Sequence, residues 1–143
     1  MTAPVARIAT RELRWALRAE PQAAGEARRL ARNTLGLWGL EHLDDVELVV
    51  GELVANAIVH GRGPVSLALL HGRDSLRVEV ADQRPDWEPM DSDAWPSLDD
   101  EHGRGLPIVS ACTDLWGVEY APRPEDGKVV WCSWVIPRPR AAE

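Results

Sequence analysis

The segment "DDVELVVGELVANAIVHG", residues 44–61, constrains the fold more than any other stretch of the chain. Acids open it, which suits the positive end of a helix dipole, and Gly61 closes it, so it reads as one helix. Most of its side chains are apolar and ask for burial. Yet Glu52 and Asn56 stand one turn apart in its middle, only roughly 40° from each other around the axis at about 100° per residue. Leu48 and Val59 flank the pair on one side of that wheel, and Val49 and Leu53 on the other. A carboxylate and an amide in such a surround need partners, because desolvating them unpaired is costly. The partners are either neighbouring backbone that the two side chains cap and brace, or something the protein binds.

The flanking sequence supplies layers around that helix. "ELRWALRA" alternates Leu13, Trp15 and Leu17 with Arg14, Ala16 and Arg18, the pattern of a half-buried strand. After Pro21 a second helix is expected from Ala24, Ala27, Leu30 (or Ala31) and Leu35, closing at Gly36 or Gly39. "GPVSLALLHGRDSLRVEVADQ" reads as a hairpin, with strands at Val65–Leu70 and Leu76–Ala81 turned by Gly72, Arg73 and Asp74. Residues 84–101 carry three prolines and no periodicity, so they read as a long loop of the kind that forms lids or binding loops. "GRGLPIVSACTD" reads as a short helix entered through glycines, and "LWGVEY" and "KVVWCSWVI" as two closing strands. The expected architecture is an α/β two-layer sandwich: a mixed, mostly antiparallel sheet with helices on one face. With 143 residues, 45% of them hydrophobic, the chain suits one domain, 1–143, with its core at about 13–136.

Charge and composition exclude several classes. The formal net charge of −7, with acids spread along the chain, argues against nucleic-acid binding. There is no apolar run of 18 residues and no signal-peptide layout, so no membrane role and a cytoplasmic location are expected. Cys112 and Cys132 lack any CxxC or ligand spacing and read as reduced, buried thiols. His60 and His102 likewise have no ligand spacing.

Two further features carry chemistry. "HGRGLPIV" places Gly103 and Gly105 before an apolar helical run, where free backbone N–H groups could meet an anion, although such a GxG is more often only a tight turn. Asp82 ends the second hairpin strand, where an ordinary Asx turn is the plain reading.

Taken together, Glu52, Asn56 and His60-Gly61 on one helix, "VEVADQRP" at a strand end, a long loop and then "GRGL" resemble the GHKL ATPase superfamily. The single-domain size, the "NAxxHG" form of the first motif and the ending "DLWGVEY…GKVVW" resemble its anti-sigma-factor serine/threonine kinase branch. The resemblance runs from roughly Leu13 to Trp134 and implies a Bergerat-type ATP-binding fold, with ATP and Mg²⁺ as cofactors. It implies Glu52 as the general base that draws a proton from a serine hydroxyl or a water, and Asn56 as the Mg²⁺ ligand. It implies Asp82 as acceptor for the adenine amino group, and Gly103, Arg104, Gly105 and Leu106 as ATP-binding residues at the end of a lid spanning about 84–102. The implied partners are a sigma factor and an anti-anti-sigma antagonist protein, with a homodimer allowed.

The chain also departs from that pattern. Where D-x-G-x-G would place glycines it has Arg84 and Asp86, and Val129 stands where related members often carry a threonine that helps hold the adenine edge. The loop from Asp86 to Glu101 carries seven acids and no Lys or Arg, the wrong sign for a phosphate clamp. The second reading is therefore a regulatory binding module that keeps the ATPase fold and acts by protein contact. A histidine-kinase fragment is the least expected, for want of an upstream dimerisation helix.

Overall fold

The computed structural model describes residues 11–84, 105–120 and 127–137. Five strands, β1 (Arg11–Leu17), β2 (Val65–His71), β3 (Ser75–Asp82), β4 (Leu115–Tyr120) and β5 (Lys128–Val135), form one sheet in the order β1-β2-β3-β5-β4. Three helices accompany it: α1 (Ala23–Trp38), α2 (Asp45–His60) and α3 (Gly105–Cys112). All four strand pairings among the described residues are antiparallel, in keeping with the mostly antiparallel sheet expected. Each neighbour in space is reached by a hairpin or by a return past a helix, and no parallel crossover is needed.

Strand alternation divides the sheet into two faces. Val65, Leu67 and Leu69 of β2, Leu76, Val78 and Val80 of β3, and Val130, Cys132 and Trp134 of β5 share one core with the helices. Ala23, Ala27, Ala31 and Leu35 bring α1 into that core, and Val46, Val49, Val50, Leu53, Val54 and Ala57 bring in α2. The small residues of α1 let it lie close along α2, while α2 packs on β2 and β3 and α3 packs on α2 and β4. The opposite face is polar: Arg77 donates to Glu79 at 2.9 Å and to Glu119 at 3.5 Å, and its guanidinium lies 4.5 Å from the Trp131 ring.

Local signals account for the boundaries. α1 ends at Gly39, whose φ of 72° is left-handed, and Leu40 N–H returns to Leu35 O at 2.8 Å, a glycine-terminated C-cap. The β2–β3 turn closes through Gly72 N–H to Ser75 O at 2.8 Å. Only the outer strand differs from its expected burial. Leu13 is 38% exposed on β1, an edge strand among the described residues, while Leu17 is buried as its alternation requires. Both cysteines are free thiols; Cys132 is buried, and that burial pushes its pKa up, so it is chemically quiet.

Candidate functional site at the α2 edge

The site starts on α2. Asp45 and Glu47 lie in its first turn, and the helix carries Glu52 and Asn56, both half-buried. Their apolar surround is one-sided. Val49 and Leu53 are buried at 0% and 3% exposure, whereas Leu48 and Val59 are 44% and 59% exposed. The pair therefore lies on the rim where the core ends, and not inside it as the helical wheel implied. The Asn56 amide is the exception: its Nδ2 is buried and has no hydrogen-bond partner among the described residues. A half-turn of the amide sets its oxygen in the same place. A buried amide atom left unbonded costs stability, which makes Asn56 a candidate for holding a ligand.

The C-terminal end of α2 meets the end of β3 at Gly61. A Cβ there would lie 2.3 Å from Ala57 O and 2.7 Å from Asp82 Cγ, so only glycine lets the strand end reach the helix end. Asp82 is 4% exposed. Its Oδ1 accepts the Arg84 N–H at 2.8 Å, the Asx turn read from sequence, and its Oδ2 accepts from Lys128 Nζ at 2.9 Å. Lys128 stands directly opposite Asp82 in the β3–β5 register, and the two side chains are 6% and 3% exposed. Gly127, with φ of 82°, makes this pairing possible, since a Cβ there would lie 1.9 Å from Asp82 O.

Two departures from the family pattern now have physical readings. Arg84, which replaces a motif glycine, donates through Nη1 to His60 O at 2.8 Å and so caps the last turn of α2. Gln83 N–H adds a bond to Arg62 O at 2.8 Å. The lost glycine is thus replaced by a guanidinium that ties β3 to α2. Val129 pairs with Ala81 and Glu119 and lies on the opposite face from Asp82. The side chain facing Asp82 is Lys128, one position earlier, so the absence of a hydroxyl at position 129 has no bearing on this edge.

Of the residues expected from sequence, Glu52 and Asn56 lie one turn apart on α2, and Asp82 lies against Gly61 at the C-terminal end of that helix. Sequence reasoning missed Lys128, and also Arg28, whose side chain lies against Gly51 of α2. A Cβ on Gly51 would lie 2.7 Å from Arg28 Nη1. Gly105 is the first residue of α3 and Leu106 the second, and α3 packs against α2. Gly103, Arg104, His102 and the acidic stretch lie outside the described residues. Among the described residues no group of three or more His, Cys, Asp or Glu side chains could hold a metal. The Asn56 amide oxygen is a donor of the kind a hard, oxygen-seeking cation accepts. No described helix is long and apolar enough to cross a membrane.

A family model described as the histidine kinase-like ATPase domain matches residues 17–134. Among solved structures, the RsbU and RsbW domains of Rv1364c from Mycobacterium tuberculosis match with a TM-score of 0.65 at 22% identity. That match covers 91% of this chain and 34% of the other, so this chain spans about a third of that structure's length. The likeness is one of fold. None of the curated proteins matches the chain.

Proposed function

This chain belongs to the histidine kinase-like ATPase family, and on that premise we propose that it is a single-domain anti-sigma-factor-type serine/threonine kinase. In this reading it binds Mg²⁺-ATP along the α2 edge, holds a sigma factor, and phosphorylates a serine on an antagonist protein. The observation that carries the reading is the buried, unbonded Asn56 amide, one turn from Glu52 and one turn from the Gly61–Asp82 junction. A bracing role would have left that amide bonded.

Each residue then has a defined task. Asn56 would hold the cation through its amide oxygen. Glu52, on the rim where an incoming hydroxyl can reach it, takes the proton from the attacking serine. Its half-buried setting keeps the carboxylate close to the reacting atoms without sealing it from a protein substrate. Asp82, backed by Gly61, anchors the base. ATP supplies the phosphoryl group when bound; phosphoryl transfer asks the protein mainly for positioning and charge stabilisation, and a rigid helix edge gives both. Gly103, Arg104, Gly105 and Leu106 are the residues this reading assigns to ATP binding. Exposed Leu48 and Val59 frame the opening from which a protein partner would approach. The cytoplasm, where sigma factors act, is the location this role requires.

The second reading, a binding module that keeps the fold, draws on one observation. Both Asp82 oxygens already accept hydrogen bonds within the protein. Glu52→Gln separates the two. It preserves size and most hydrogen bonding, so nucleotide binding by calorimetry should persist while transfer of labelled phosphate to the cognate antagonist falls by roughly 10²–10⁴. Equal transfer in wild type and variant removes Glu52 from the chemistry. Absent transfer in both, with a sigma factor still retained in a pull-down, establishes the module.

A further inference from the structure

The Asp82–Lys128 pair is more than a buried salt bridge. The ammonium has three donors, and among the described residues it makes one hydrogen bond, to Asp82, although its side chain is only 6% exposed. The carboxylate, 3% exposed, uses two of about four acceptor positions. An acceptor-only group and a donor-only group thus stand side by side, each with hydrogen-bonding capacity that no described residue takes up, at the β3 end that Gly61 joins to the helix of Asn56. Buried groups of this kind are costly to leave unpaired, and their complement is a flat edge offering a donor next to an acceptor.

We infer that Lys128 reads the nucleobase together with Asp82. The inference rests on the nucleotide-binding reading above. With Asp82 accepting from the exocyclic 6-amino group of adenine, the neighbouring ring position meets Lys128, which donates to N1. A 6-oxopurine reverses both groups: its carbonyl faces the carboxylate and its N1–H faces the ammonium. Lys128 thereby turns one specific contact into two and sets the preference for a 6-aminopurine over a 6-oxopurine.

The test is calorimetric and needs no turnover. Mg²⁺-ATP is compared with 1-deaza-ATP, in which the N1 acceptor is replaced by C–H, and with ITP, on wild type, Lys128→Met and Lys128→Gln. Wild type should bind ATP roughly ten- to a hundredfold more tightly than 1-deaza-ATP, the range for a hydrogen bond to a charged donor. In Lys128→Met that ratio should fall close to one, and discrimination against ITP should shrink with it. Lys128→Gln, which keeps a neutral donor, should retain part of the ratio, and it stands in if the methionine variant does not fold. Tight ATP binding with the same ATP to 1-deaza-ATP ratio in wild type and variants overturns the role of Lys128 while leaving the nucleotide site intact. No heat with any nucleotide on folded wild type overturns the nucleotide site, and this inference with it.

Discussion

Replacing Lys128 with methionine strands the Asp82 carboxylate. The stem keeps its volume, the charge goes, and a side chain 3% exposed is left with the Arg84 N–H as its hydrogen-bond donor. At a charge separation near the 2.9 Å contact, the gross attraction lost is about 6 kcal/mol at an effective dielectric of about 20. Desolvation had already offset much of it, and breaking a buried pair from one side costs about 3–5 kcal/mol. The expected loss is therefore about 3–5 kcal/mol, or roughly 6–20 °C in Tm for a domain of this size. Removing both charges, in Asp82→Asn with Lys128→Met, leaves no buried ion, so the double variant should recover to within about 1–2 kcal/mol of wild type. Urea titrations of the wild type, both singles and the double complete the cycle. The reasoning fails if each single variant costs under about 1 kcal/mol, which would mean a solvated pair, or if the two costs simply add.

Asn56→Ala should weaken Mg²⁺-ATP binding by roughly tenfold or more while leaving the apo Tm unchanged or raised, because the buried Nδ2 has no bond to lose. A large fall in apo Tm with unaltered affinity would make Asn56 a brace. A third expectation concerns acid. His71 stacks on Trp38 with ring centroids 5.6 Å apart, and its pKa is held below the ordinary histidine value by burial and secondarily by the Arg11 charge. The folded state therefore holds this proton more weakly than the unfolded chain. The contribution is present in full above about pH 6.5 and is lost as the pH falls through that value toward the folded pKa. Between pH 7.5 and 5.5, wild type should lose more Tm than His71→Gln; parallel curves would refute it.

Much of this fold was legible from period alone. The hairpin of β2 and β3, both long helices and the two closing strands fell within a residue or two of their expected ends, because caps and turns are local. What local pattern could not give was the other side of each contact. The wheel around Glu52 showed apolar flanks, but Leu48 and Val59 stay exposed because no described element covers that side. Lys128 and Asp82 are 46 residues apart, and only the β3–β5 register makes them partners. A strand changes face at every residue, so reading the site one position late selected Val129, which faces away. Arg84 registered only as a missing glycine, since its partner, the His60 carbonyl, belongs to a different element.

The seam between α2 and β3 has a consequence for timing. Gln83 N–H is bonded to Arg62 O and the Arg84 guanidinium to His60 O, both at 2.8 Å. The Gln83 amide should exchange with deuterium only through large openings, because freeing it means parting the end of a central strand from the end of the helix that covers it. That wall should be slow to open. The clock for admitting and releasing a ligand as large as a nucleotide is then set on the opposite side, and substitutions along the seam should change how tightly a ligand is held more than how fast it comes and goes.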